Sequence, residues 1–428
     1  MQGVGLGATP FRAEIRALFT VAMAVFVVTV VIGILNGLDL VSFDRADLFG
    51  GNTLMTHVHA GTLGWITLSV FAACLWLFGE SAGAAGSWVR PLAWLSGVGI
   101  PLYVAAFYAG VAVDLNVVYP LRAITGTVVL AAMLGFLWWC WRASRGAPMT
   151  TARFAFLGGL VTVVIGAIFG VLLQVQYATK GTLFPGGVDP IGAHVTAMAF
   201  SYLVLVGMGI AEWRLMPGAT FTRWAAAQVV LLFLGGLILV VASLIGMLQL
   251  AGLNLLFEVA ATVIFVARLW PAIARAAWLA AGSARHFAAS AIFVPIDILI
   301  LAYLLVVYVI MAEPTEGGGG PDLASIPAWL IFALDHAVFI GVLTNAIFGL
   351  FGEATHGRAA FWSWADHVIF WGVNIGLIGF VAGLATETVV LKQVFSAIMG
   401  VSILVGLLTY AVRFWGGREE ATSPAWGP

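Results

Sequence analysis

Twelve long apolar runs dominate the sequence and constrain its fold more than any other feature. Each is close to the roughly 20 residues that an α-helix needs to cross a hydrocarbon core of about 30 Å. Only 9% of the residues are charged, whereas soluble domains carry roughly 25%. We therefore predict an all-α integral membrane protein, with twelve transmembrane helices in a single transmembrane domain over residues 1–428. The predicted spans are 12–36, 54–79, 88–113, 120–142, 153–174, 190–211, 223–247, 251–270, 286–311, 328–351, 362–383 and 390–415.

The basic residues are distributed unequally between the two sides of this predicted bundle. Of the 18 arginines and lysines, all lie on the side of the chain termini except Arg45, Arg122, Lys180 and Lys392. Short loops rich in Lys and Arg stay in the cytoplasm, so we predict cytoplasmic termini in a bacterial-type cytoplasmic (inner) membrane. The apolar composition indicates a lipid bilayer as partner, and the absence of a basic patch in the sequence gives no sign of a nucleic-acid partner.

Three of the predicted spans, the second, sixth and tenth, resemble one another. Each begins with a histidine near its outer end and closes with a Gly-Glu or Gly-x-x-Glu segment at its inner end. The spacing predicts an ancestral four-helix unit used three times, over residues 12–142, 153–270 and 286–415. The alternative is chance, because apolar helices that end in Gly and Glu are common. The aligned histidines are His59, His194 and His336, and the glutamates are Glu80, Glu212 and Glu353.

Four of the seven histidines share one layer of the predicted bundle. His57, His59, His194 and His336 all fall in the outer third of the three related spans. A buried imidazole must find a partner, and a hydrogen bond between helices would satisfy any one of them. Four in one layer favour metal binding, and paired histidines from facing helices are a usual way to hold haem iron.

The spacing of the histidines limits how they can pair. Residues two positions apart on an α-helix differ by about 200° in direction, so His57 and His59 should not bind one iron. His59 aligns with His194 and His336 at the head of the related spans, and paired histidines from two of these spans form the first candidate site. His57 and His194 form a candidate second site for a second haem or a single metal ion, although either His57 or His59 could instead be structural.

Few other ionisable residues lie where they could serve such a site. Arg45, Arg122 and Lys180 are the candidates for ion pairs with haem propionates, because they lie on the outer side. Glu258 and Asp297 fall inside predicted spans and are candidates for a proton path. A neutral carboxylic acid bonded to a carbonyl is an equally good interpretation of each.

The segment "HVHAGTLGW" at residues 57–65 resembles "HVHSGALGW" of the C-type oxidases, which belong to the haem-copper oxidase and nitric oxide reductase superfamily. Both histidines are haem ligands there, although that segment lies on the tenth helix rather than the second. In that family, histidines of the second and tenth helices hold the low-spin haem. The resemblance therefore implies that His336 and either His59 or His57 are the axial ligands of haem b, and the alignment with His336 favours His59. The resemblance implies electron transfer, or binding or reduction of nitric oxide or oxygen. An oxidoreductase of this type would take electrons from a cytochrome or quinol, or through a partner subunit.

The seventh span departs from that family. It reads "RWAAAQVVLLFLGGLILVVASLIG" at residues 223–246 and contains no histidine, whereas the superfamily takes two copper ligands from this helix. We therefore expect the standard copper site to be missing.

Two further interpretations remain open. The segment "DHAVFIGVLTNAIFGLFGEATHGR" at residues 335–358 partly resembles NnrS-type membrane haem proteins, which implies gas binding without catalysis. The other alternative is a cofactor-free secondary transporter with a histidine-lined polar site, in which Glu258 and Asp297 couple ions. Transporter repeats more often come as two halves, so a threefold repeat favours haem.

Overall fold

A computed structural model describes residues 6, 9–40, 51–312, 325–356 and 362–416. Within these residues the chain is helical, with no strand. Twelve helices are long and apolar enough to cross a membrane, so the prediction of an all-α protein with twelve spans is confirmed. The helices are α1 (Arg12–Gly37), α2 (Asn52–Ser81), α3 (Gly83–Ala109), α4 (Leu115–Ser144), α5 (Thr151–Thr179), α6 (Pro190–Leu215), α7 (Arg223–Leu244), α8 (Ala251–Ala274), α9 (Ser283–Ile310), α10 (Ala328–Ala354), α11 (Ala365–Ala385) and α12 (Val389–Trp415).

The observed helix ends lie within five residues of the predicted ones. The start of α4 shows why the ends differ: it begins at Leu115, whereas the predicted span begins at Pro120. Asp114 caps the helix, because its side chain accepts a hydrogen bond of 2.8 Å from the backbone N–H of Asn116. Pro120 lies within the second turn of this longer helix.

Three helices form the centre of the bundle. In α2, α6 and α10, 94%, 72% and 72% of the most apolar window is buried, against 33–50% in the other nine helices. The outer helices surround this centre, and α1 packs against α12 to join the two ends of the chain. The side chains of α2, α6 and α10 therefore face protein rather than lipid, which allows polar residues to be placed there.

Hydrogen bonds between side chains tie the central helices together. The indole N–H of Trp65 on α2 donates to the hydroxyl of Thr344 on α10 over 3.0 Å. The hydroxyl of Tyr202 on α6 donates to that of Thr67 on α2 over 3.2 Å. These groups are buried and satisfied, so they fix how the three helices meet.

Each central helix contains a π-helical segment. The segments are Ala60–Thr67 in α2, Ala197–Leu203 in α6 and Ala337–Thr344 in α10, and α9 also ends in one, at Val306–Ile310. The first three follow directly after the histidine-bearing turns. Such segments are rare in helices and occur frequently at functional sites.

Ion pairs fix the other ends of the central helices. Glu212 of α6 binds Arg268 of α8, and Glu353 of α10 lies 2.9 Å from Arg214 of α6. Glu80, the third glutamate of the predicted pattern, is exposed. The two ends of the central helices thus differ in chemistry, with histidines at one and arginine–carboxylate pairs at the other.

Candidate functional site

A cavity of about 1120 Å³ surrounds the histidine-bearing part of α2. Residues of α1 to α6 and of α10 to α12 line it. It exceeds the roughly 300–1,000 Å³ that is usual for small-molecule sites. His57, His59, His194 and His336 all line this cavity. The structure therefore brings the four candidate ligands into one space.

Each of the four imidazoles forms the same kind of hydrogen bond, from its Nδ1 to a backbone carbonyl. A carbonyl oxygen only accepts, so each Nδ1 carries the proton and the lone pair of the neutral ring lies on Nε2. Histidines that bind metal are usually held in this way, with the second ring nitrogen donating to a carbonyl or carboxylate. The bonds run from His57 to Thr29 (3.0 Å), from His59 to Met55 (2.7 Å), from His194 to Gly166 (2.7 Å) and from His336 to Phe332 (2.7 Å).

The two histidines of α2 face different neighbours. His57 bonds to the backbone of α1 and interacts electrostatically with His336 of α10. The ring of His59 stacks on Phe107 of α3, with centroids 3.9 Å apart and planes 17° apart, and it interacts electrostatically with His194 of α6. This is the opposed orientation that their spacing predicts.

We name the two parts of the cavity by these neighbours. The first compartment is the part around His57 and His336, bounded by α1, α2, α10, α11 and α12. The second compartment is the part around His59 and His194, bounded by α2 to α6. Each compartment contains one histidine of α2 and one from another central helix.

This arrangement differs from the pairing that the sequence suggested. The sequence favours His59 over His57 as the partner of His336 and leaves both open, whereas in the structure His57 interacts electrostatically with His336 and His59 with His194. The reason is the placement of α10 on the side of α2 that faces α1. Trp65 of α2, for example, contacts both α1, where it stacks on Phe26, and α10.

A glycine lies against one histidine in each compartment. A Cβ atom on Gly33 of α1 would lie 3.2 Å from Cε1 of His57, and one on Gly170 of α5 would lie 3.0 Å from Cε1 of His194. Each glycine follows by four positions the residue whose carbonyl accepts the Nδ1 bond. The absence of a side chain lets each imidazole lie close to the neighbouring helix.

Arg122 of α4 provides the positive charge of the second compartment. It lines the cavity and is only 4% exposed. Its guanidinium donates to the side-chain oxygen of Asn52 (2.8 Å) and to the carbonyls of Ala106 and Phe107 (3.2 and 3.1 Å). All of these acceptors are neutral, and among the described residues no ion pair includes Arg122.

The other predicted cations have different positions. Lys180 is exposed and follows the end of α5, away from the described lining of the cavity, and Arg45 lies outside the described residues. The first compartment is lined instead by Lys392 of α12, which the sequence did not single out. Lys392 donates a hydrogen bond to Asp39, and this bond holds the pKa of Asp39 below its ordinary value.

The two predicted proton-path residues lie near each other, in α8 and α9. Glu258 and Asp297 are fully buried, and Glu258 accepts a 2.8 Å hydrogen bond from Asn254. Neither side-chain oxygen of Asp297 has a hydrogen-bond partner in the part of the chain that the structure describes. Asp297 interacts electrostatically with Glu258 and with Asp335, and Asp335 lines the cavity.

The interface between α6 and α10 contains no histidine at the corresponding positions. The residues directly before the three π-helical segments are His59, Thr196 and His336. Two positions earlier stand His57, His194 and Leu334. In each compartment, a histidine directly before one π-helical segment pairs with a histidine two positions earlier in another central helix. Between α6 and α10, the equivalent two positions are occupied by Thr196 and Leu334. A hydrophobic cluster surrounds Leu334, formed with Ala251, Leu301, Leu304, Leu305 and Leu330.

No family model and no curated protein matches the chain. The residues themselves limit what the site can bind. In the described ranges, no group of three or more His, Cys, Asp or Glu side chains is arranged to hold a metal ion. The histidines of the cavity thus offer two protein ligands in each compartment.

Proposed function

We propose that the protein is a membrane haem b protein that transfers electrons, with His57 and His336 as the axial ligands of the haem. The observation that carries this proposal is the pair of imidazoles facing one large cavity, each with Nδ1 bonded to a backbone carbonyl. This arrangement leaves Nε2 as the ligand atom of both rings. It revises the pairing that the sequence suggested.

The donor set fits a metallated macrocycle better than a bare ion. Protein-bound metal ions take roughly four to six ligands, whereas each compartment supplies two imidazoles. A porphyrin supplies four nitrogens in its own plane, so two axial histidines complete the coordination. Lys392 lies at the first compartment, where an ammonium group can pair with a propionate.

The haem, when bound, would supply one-electron chemistry. If His57 and His336 both held the haem iron, the site would favour electron transfer over binding of nitric oxide or oxygen. The carbonyls of Thr29 and Phe332 would hold the two imidazoles in the ligating orientation. A quinol, a cytochrome or a partner subunit is the class of electron donor that fits a membrane protein of this kind.

The membrane arrangement is part of the same proposal. The excess of arginine near the chain termini supports cytoplasmic ends in a bacterial-type cytoplasmic membrane. The repeat of three four-helix units is supported by the central position of α2, α6 and α10 and by the π-helical segment that each contains. The haem would then lie nearer the outer face.

One observation favours a second candidate function. The buried carboxyl groups of Glu258, Asp297 and Asp335 lie within electrostatic range of one another, and such groups inside a membrane commonly couple ions or protons. A cofactor-free secondary transporter would use them in this way. In a haem protein, the same groups would be a proton path that ends at the cavity through Asp335.

The two candidate functions predict different visible absorption, because a haem protein is coloured and a cofactor-free transporter is not. We would purify the protein in detergent and record reduced-minus-oxidised spectra and the pyridine haemochrome of wild type and His336→Ala. Sharp haem b bands that weaken in His336→Ala support the proposal. The control is His356→Ala, because His356 is exposed at the opposite end of α10 and lines no part of the described cavity. A folded but colourless wild-type protein would refute the haem proposal and favour the transporter.

A further inference from the structure

We infer that the second compartment binds a second haem, with His59 and His194 as its axial ligands and Arg122 as the partner of a propionate. This inference rests on the proposed function, because it extends the same ligand chemistry to another place in the fold. It assigns both histidines of α2 to separate irons.

The two compartments are built from equivalent helix pairs. In the α1–α2 pair, His57 bonds to the carbonyl of Thr29, 28 positions earlier. In the α5–α6 pair, His194 bonds to the carbonyl of Gly166, also 28 positions earlier. Together with the matching glycines beside the rings, this shows that one local design holds an imidazole at the wall of each compartment.

The second histidine of each compartment is held by its own helix. His59 bonds to the carbonyl of Met55 and His336 to that of Phe332, each four positions earlier. Both residues directly precede a π-helical segment. His59 is oriented further by Phe107, on which its ring stacks. Each compartment therefore contains one imidazole of each kind, with Nε2 of both rings left as the ligand atom.

The charge of Arg122 points to the same ligand. A buried cation without an anionic partner is costly, and the acceptors around this guanidinium are a side-chain amide and two carbonyls. A carboxylate on the bound molecule would compensate the charge through charge-assisted hydrogen bonds. Because only two histidines face this space, the ligand must bring its own further metal ligands. An iron macrocycle with carboxylate groups meets both requirements.

The test is the number of haems per chain and the identity of the histidines that hold each one. We expect two haems per wild-type chain, by pyridine haemochrome against protein concentration. His59→Ala and His194→Ala should each lower this number to one. The haem that remains should have the same spectrum in both variants. His336→Ala should also lower the number to one, but the haem that remains should be the one that His59 and His194 hold. One haem per wild-type chain, retained in full by His194→Ala, would overturn the inference while leaving the proposed function intact.

Rescue by a free ligand separates coordination from folding. In His194→Gly, imidazole added to the medium should restore the second haem, because it can occupy the space of the deleted ring. Loss of both haems from His194→Ala and His194→Gly, without rescue by imidazole, would count against the inference. A colourless wild type would instead refute the proposed function itself.

The role of Arg122 has its own readout. A cation near a propionate favours the reduced, less positive form of the haem, so Arg122→Gln should lower the midpoint potential of one haem by more than that of the other. The matched control is Lys180→Gln, which removes an exposed positive charge at the end of α5 and should change neither potential. Equal shifts of both potentials in Arg122→Gln, or a shift of neither, would contradict the assignment.

Discussion

The second compartment and the surroundings of Leu334 on α10 differ in the groups that they present. The compartment is a cavity lined by His59, His194 and Arg122, whereas Leu334 packs with apolar residues of α8, α9 and α10. Counted from the π-helical segments, Thr196 of α6 and Leu334 of α10 stand at the positions of His59 and His194. Histidines at these positions thus accompany a cavity, whereas leucine accompanies an apolar cluster.

The comparison also shows which arrangement needs a ligand. A leucine side chain gains stability from close packing alone, so the cluster around Leu334 needs no ligand. An imidazole that faces a cavity contributes little until its second nitrogen is bound, and a buried arginine needs an anion. The second compartment thus presents groups that a ligand could satisfy, whereas the apolar cluster around Leu334 does not.

The largest expected effect comes from removing both histidines of α2. His57→Ala combined with His59→Ala should abolish all haem binding, because each compartment then retains a single axial ligand. The measurement is the pyridine haemochrome of the purified protein, with His356→Ala as control. Retention of one full haem in the double variant would show that the site does not use α2.

A second prediction tests whether one histidine suffices to convert the α6–α10 interface. Leu334→His should not create a third haem, because Leu334 is buried in a leucine cluster and does not line the described cavity. It should instead destabilise the protein by roughly 1–3 kcal/mol, through a buried polar group without a partner. Thermal unfolding in detergent and haem content would be compared with Leu334→Met, whose effect should stay below about 1.5 kcal/mol. An additional haem in Leu334→His would contradict our account of the interface.

A smaller effect is expected from filling the space beside one imidazole. In Gly170→Ala, the new methyl group would lie 3.0 Å from His194, so the ring must shift by a few tenths of an ångström. We expect a shifted potential and reduced occupancy of the second haem alone. Gly97→Ala is the control, because its nearest neighbour, Leu18, would lie at an ordinary 3.8 Å. Equal spectra for the two variants would show that this contact is unimportant.

The smallest expected effect concerns the ion pair at the first compartment. The hydrogen bond from Lys392 lowers the pKa of Asp39 in the folded state, so its stabilising contribution is present above the ordinary pKa of about 3.9. It is lost as the pH falls through the lowered value. Because Asp39 is 48% exposed, the contribution should be at most about 1 kcal/mol.

Asp39→Asn removes the ion pair and tests this prediction. Its thermal stability should lie slightly below that of wild type at pH 6, and the difference should begin to shrink near pH 4 and vanish once the pH is below the lowered folded-state pKa of Asp39. A difference that grows towards low pH would exclude the ion pair as its cause.

Much of the fold could be predicted because it depends on the length and composition of single segments. The twelve spans follow from apolar runs, and the opposed directions of His57 and His59 follow from the pitch of an α-helix. The four histidines could be assigned to related helices in the same way. These features need no knowledge of how the helices pack.

The pairing of the histidines could not be predicted, because it depends on which neighbour each face of α2 meets. That contact is set by groups far apart in sequence, such as Trp65 and Thr344. The π-helical segments were also missed, since no residue pattern in α2, α6 or α10 marks them. Lys392 carried no signal of its own, because its position at the cavity depends on how α12 packs beside α1.

The position of α2 between the two compartments has an electrical consequence. A helix is about 10–12 Å across, and two unit charges at that separation interact by about 1.5 kcal/mol at an effective dielectric constant of about 20. Adding an electron on one side of α2 would therefore make addition on the other side harder. Two occupants of this cavity would not titrate as independent centres, and their reduction would spread over a wider range of potential than two separate one-electron steps.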